Sequence, residues 1–146
     1  MYNLITLRLR FPQEFQGKTI RMEDGLTFKI FRQMRLKTRN QSAAGSILVV
    51  CFQFKRFGHR VNMLLSRIPI LLIVGFPGFG YKIWMIDWET NYWQGIYEFD
   101  NTAAIDQYKK SFVLGMMNKR AISDTISYHV LPDTDIREYV RSALID

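Results

Sequence analysis

Few side chains in this sequence can do acid–base or nucleophilic chemistry, and they are scattered: two histidines, His59 and His129, and one cysteine, Cys51. His129 lies between Tyr128 and Val130 in a short apolar run. As the titratable group nearest neutral pH on a core strand, it is the candidate proton acceptor. Tyr97 is the second candidate catalytic residue, its hydroxyl placed to hydrogen-bond a bound molecule. Trp84, Trp93 and Tyr128 are the candidate substrate-binding residues. Together with Trp88 they give a high aromatic density in under fifty residues. Such rings can line an apolar cavity, with a hydroxyl or an indole N–H orienting a flat aromatic ligand. They can equally fill a core, since aromatic side chains bury large areas wherever they occur. His59, after Lys55-Arg56-Phe57-Gly58, reads as a helix-start residue. Cys51 lies inside an apolar run with no histidine near it in sequence, which predicts a buried, inert thiol.

Several chemistries are absent from the sequence. There is no GxSxG, HExxH, P-loop or GxGxxG motif. Gly75, Gly78 and Gly80 precede a strand rather than a helix and no Lys-Ser/Thr follows, so they read as a turn. Two histidines and one cysteine leave too few ligands for a zinc or iron site, so no metal and no cofactor is expected. A lone cysteine excludes an intramolecular disulfide and suggests a reducing, cytoplasmic setting. The longest apolar run, Ile68–Phe76, is nine residues against the about 20 that a bilayer span needs.

The elements that must hold these residues centre on Gly75–Asp100. A Pro-Gly turn opens it, Tyr81–Asp87 reads as a strand, Glu89–Asn91 as a polar tip and Trp93–Phe99 as a second strand. Ile47–Lys55 is nearly all apolar, as a central strand covered on both faces should be. A helix is expected over His59–Ile73, weakened or split by Pro69. Asn101–Asn118 predicts one capped helix with Ala104, Ile105, Tyr108, Phe112 and Met116 on one face. Thr125–Leu131 reads as the last strand and Asp133–Leu144 as a terminal helix. The order is β-α-β-β-α-β, an α+β ferredoxin-like sandwich.

Residues 1–45 stand apart from the domain at 46–146 as a basic, β-rich extension. They carry nine Lys/Arg against three acids, and so hold most of the chain's net charge of +7. Lys18–Met22 and Leu26–Lys37 read as strands around a Glu23-Asp24-Gly25 turn, and RNQSAAG at Arg39–Gly45 as a linker. The basic residues fit a solvated strand face, or docking to an anionic membrane surface. Aromatics are not interleaved with them for base stacking, so nucleic acid is not an expected partner.

The run from Ile47 to about Val130 resembles the dimeric α+β barrel superfamily, in particular YdhR-type and antibiotic-biosynthesis mono-oxygenase-like proteins. The resemblance rests on Pro77-Gly78-Phe79, Lys82 and Trp84 on one strand, Gly95–Phe99 (GIYEF), Asn101-Thr102-Ala103-Ala104 and the aromatic Tyr108. It spans about 85 of the 146 residues. It implies a homodimer in which two sheets pack face to face, each with a ligand cavity between its own sheet and helices. A single unit would otherwise leave one apolar sheet face bare. It also implies a cofactor-independent mono-oxygenase-like protein binding a small aromatic or polyphenol-like molecule, with Trp84, Tyr97 and His129 facing one cavity. Haem-degrading relatives use a histidine on the second helix, and residues 101–120 contain none. A non-catalytic dimer whose basic N-terminal segment docks to an anionic surface is the alternative. The localisation expected is cytoplasmic, or membrane-peripheral in that second case.

Overall fold

The computed structural model of the chain describes residues 9–36, 45–55, 58–65 and 70–145. The expectations for residues 1–8, for the linker up to residue 44 and for Pro69 lie outside the described residues. Strands β1 (Leu9–Arg10), β2 (Thr19–Arg21) and β3 (Thr27–Leu36) precede β4 (Ser46–Phe52). Helices α1 (His59–Leu65) and α2 (Ile70–Val74) lead to the hairpin β5 (Phe79–Ile86) and β6 (Trp93–Phe99). Then come α3 (Thr102–Lys109), α4 (Phe112–Arg120), a 3-10 turn (Ser123–Thr125), β7 (Ser127–Leu131) and α5 (Ile136–Ala143).

All pairings are antiparallel, in the order β1-β3-β5-β6-β4-β7, with β2 against β3. The four strands from β4 onward, with their intervening helices, make the expected β-α-β-β-α-β unit. The N-terminal strands join the same sheet, β3 pairing along the outer edge of β5. A bulge at Phe31 breaks that register. It turns both Phe31 and Arg32 toward the helices, since one inserted residue shifts the alternation.

The β5–β6 tip is held by Asp87, whose carboxylate accepts from the Glu89 amide (3.0 Å) and the Thr90 hydroxyl (2.6 Å). The single helix expected over Asn101–Asn118 is two. Asn101 caps α3 by accepting from the Ala104 amide (2.9 Å). Ser111 then caps α4, accepting from the Leu114 amide at 3.3 Å. A serine hydroxyl competing for the backbone is what breaks the run. The last strand starts at Ser127 rather than Thr125, because the 3-10 turn takes up the residues before it.

The sheet buries both faces. Against α1–α4 lie Leu48, Val50, Phe52, Trp84, Tyr97 and Phe99. The other face, with Ile47, Val49, Ile83, Met85 and Ile96 and, from β2 and β3, Ile20 and Phe28, packs against Ile136 and Val140 of α5 and against Phe15. The premise of a bare sheet face is therefore corrected: the chain covers it with its own segments. Burying Ile136 and Val140 contributes about 1.5–3 kcal/mol each. Glu14 ties the two coverings together, accepting from Arg137 Nε (2.9 Å) and from an Arg141 guanidinium nitrogen (2.6 Å). The Cys51 thiol sits in this second core, where burial pushes its pKa up to about 12, so it stays protonated.

Candidate functional site

Between the sheet and the helices lies a cavity of about 270 Å3. Its floor is a patch of paired strand residues. Lys82 on β5 stands opposite Tyr97 on β6 and Met34 on β3, while Trp84 stands opposite Gly95 and Arg32. Trp93, Phe52 and Phe54 extend the aromatic wall, and Met116, Met117 and Arg120 close it from α4.

Lys82 is the unexpected group. Its side chain is 7% exposed. Its Nζ lies 4.5 Å from the ring centroid of Trp84 and 4.4 Å from that of Tyr97. Among the described residues it has no hydrogen-bond acceptor and no carboxylate partner. Cation–π contact with two rings offsets part of the cost of burying an ammonium. Burial, and after it the positive charge of Arg32, pulls its pKa down to about 7. Gly95 makes the room: a Cβ there would lie 3.0 Å from the Tyr97 ring and 3.4 Å from Lys82 Cε.

The other polar groups are held by partners. The Tyr97 and Tyr108 hydroxyls interact with one another, their ring centroids 5.1 Å apart, and burial raises the pKa of both phenols. Arg120 donates to Asn62 Oδ1 (2.7 Å) and its guanidinium lies 4.7 Å from the centroid of Phe54. Burial lowers its pKa from the ordinary arginine value. The Trp93 indole donates to His59 Nδ1 (3.0 Å), and His59 Nε2 meets Asn91 Oδ1 at 2.8 Å. An indole can only donate, so Nδ1 is the bare nitrogen and Nε2–H donates to Asn91. His59 thus begins α1, as expected, and pins it to the hairpin tip. Asn91 there has φ 66°, which asparagine tolerates better than most residues.

The structure brings Trp84, Trp93 and Tyr97 together on the cavity wall. It separates the other two candidates. His129 pairs with Val49, whose side chain is in the second core, so His129 is exposed on the opposite sheet face. Its expected proton-accepting role in this cavity is corrected by that parity. Tyr128 is on the helix side but outside the cavity wall, half-buried with its hydroxyl donating to Asn118 Oδ1 (2.9 Å). Lys82 and Arg120 are the polar groups that sequence reasoning passed over for the site. The signal for Lys82 was present: one lysine inside Phe79–Ile86, a strand otherwise apolar on both faces. Among the described residues no group of three or more metal-binding side chains occurs, and no helix is long and apolar enough to cross a membrane.

No protein-family model matches this sequence, and no curated protein matches it. Solved structures do match in fold. A monooxygenase-like protein from Listeria innocua superposes with a TM-score of 0.57 at 9% identity, over 79% of this chain and 68% of that one. An uncharacterized ferredoxin fold protein related to antibiotic biosynthesis monooxygenases, from Listeria monocytogenes, gives 0.56 at 8%, over 88% and 94%. A heme-degrading enzyme from Listeria monocytogenes gives 0.52 at 10%, over 86% and 97%. The chain thus has the ferredoxin-like fold of antibiotic-biosynthesis monooxygenase-like proteins, as its motifs suggested. At such identities the likeness is one of fold, and the chemistry has to be argued from the residues.

Proposed function

We propose that this protein is monooxygenase-like: it holds a small planar aromatic, polyphenol-like molecule in the cavity and acts without a cofactor. The observation that supports this most is the aromatic cavity between sheet and helices, walled by Trp84, Trp93 and Tyr97. Its size is at the lower end for ligand pockets, which fits one or two fused rings. In this reading Trp84 and Trp93 pack on the ring system and Tyr97 fixes its hydroxyl edge. The bound phenol, once deprotonated, is itself the reductant of O2. One phenol and one O2 give one quinone and one water, so no external reductant is required. Haem is a poorer fit, since neither histidine lines the cavity. Oxygen uptake with dihydroxynaphthalenes, with quinone followed by absorbance, tests the proposal. Turnover that falls at least tenfold in Trp84→Ala supports it. Absence of both binding and turnover across a panel of one- and two-ring phenols overturns it.

The alternative is a non-catalytic protein docking to an anionic surface. Lys18, Arg21 and Lys29, all exposed on or beside the β2–β3 hairpin, favour it. Co-sedimentation with anionic vesicles that is lost at high salt would support that reading.

A further inference from the structure

The cavity contains an imbalance that ring stacking alone does not use. Lys82 and Arg120 line it, Arg32 packs on Trp84 with its guanidinium 5.1 Å from the ring centroid, and among the described residues no Asp or Glu is in the wall. A buried cation without a counter-ion is costly, and a ligand that brings a negative charge removes that cost. We infer that Lys82 receives the oxyanion of a planar aromatic acid, a carboxylate or an ionised phenol, and that the cavity selects such anions over neutral rings of the same shape.

The geometry supports this independently of titration. Lys82 Nζ stands over two ring faces, near enough to both for a ligand lying against Trp84 to meet it. Arg120 is tied to Asn62 and Phe54 and keeps its charge, so it supplies field at the wall rather than the principal contact. Among the described residues, Arg32 on β3 acts on Lys82 by its charge and Tyr97 on β6 lies under its Nζ, while Tyr108 on α3 and Arg120 on α4 share the cavity wall with it. With its pKa near 7, Lys82 is partly neutral in the empty cavity. An anion therefore draws a proton onto it as it binds, and affinity for the anion falls as pH rises above 7.

This inference names the ligand class for the proposed site and rests on that reading. The test compares 2-naphthoate with its neutral counterpart 2-naphthamide, by quenching of tryptophan fluorescence in the full-length protein from pH 6 to 9. The expected result is naphthoate bound at least tenfold more tightly than the amide at pH 6.5. Its affinity should fall by up to tenfold per pH unit above about pH 7, while amide affinity stays flat. Lys82→Met should remove the preference and leave amide affinity within about threefold. The wild-type pH series remains decisive even where that variant fails to fold. A carboxylate site and a phenol site are separated by 2-naphthol, whose absorbance shifts to that of naphtholate on binding only in the latter. Equal, pH-independent binding of acid and amide overturns the inference and leaves the cavity reading standing. Binding of neither overturns both.

Discussion

Gly78 turns its bare Cα toward Ala104: a Cβ built at residue 78 would lie 2.9 Å from the Ala104 methyl. The φ of Gly78 is 82°, and its carbonyl accepts from the Asp100 amide at 2.9 Å. Two sequence fragments far apart in the chain, Pro77-Gly78-Phe79 and Asn101–Ala104, are thus one contact, where the turn before β5 meets the first turn of α3. Gly78→Ala adds both left-handed strain and a clash with a helix methyl that cannot rotate away. We predict a loss of about 2–4 kcal/mol in urea unfolding. Adding Ala104→Gly should recover the part due to the clash, seen as a favourable coupling in a double-mutant cycle. Strict additivity would show that the contact is loose.

Lys82 gives a pH signature in stability as well as in binding. Its pKa is about 7 when folded and 10.5 ordinarily, so between those values the unfolded chain holds more protons at this position. Stability therefore rises with pH through that window, with a slope of up to about 1.4 kcal/mol per unit. Cys51 adds its own pH dependence only above pH 9, where the unfolded thiol ionises and the buried one does not, and there it lowers stability. The measurement is best made from pH 6 to 8.5. Wild type minus Lys82→Met should be flat below pH 7 and climb above it. A flat difference throughout would mean that Lys82 keeps an ordinary pKa.

Gly95 is the test of the cavity floor. Gly95→Ala should press the Tyr97 ring and Lys82 out of place and weaken naphthoate binding by about fivefold or more. Its cost in stability should stay below about 2 kcal/mol. Unchanged binding would show that the ligand does not use this floor.

His129 provides the contrasting control. It is exposed on the opposite sheet face, so His129→Ala should change stability by no more than about 0.5 kcal/mol and leave ligand affinity unchanged. A tenfold loss of affinity would contradict the placement.

The sequence was most legible where local chemistry leaves one solution. The hairpin followed from a Pro-Gly turn, two aromatic and β-branched strands and a polar tip, and Trp93–Phe99 begins and ends where its residue types suggest. The alternation of β5 is likewise written in its residues, with Tyr81, Ile83 and Met85 in one core and Trp84 and Ile86 in the other. What failed was non-local. On an edge strand such as β7, one step of register decides which face His129 occupies, and nothing within residues 127–131 sets that parity. Ile136 and Val140, four apart, announce an amphipathic helix but not the surface it covers. Lys82 was hidden differently: a lysine is ordinarily solvated, and only burial against two rings makes it chemical.

The second core of the sheet draws on residues from opposite ends of the described chain, 15–30 and 136–144. At ribosomal speeds of about 5–20 residues per second, roughly 5–20 s separate their synthesis. During that interval Phe15, Ile20 and Phe28 have no α5 to meet, and Val49, Ile83 and Ile96 emerge in turn onto a face that is still open. The nascent chain is therefore at its most adhesive just before residues 136–144 emerge. Any change that delays or detaches residues 136–144 acts first on the protein's yield in the cell, before it acts on the cavity.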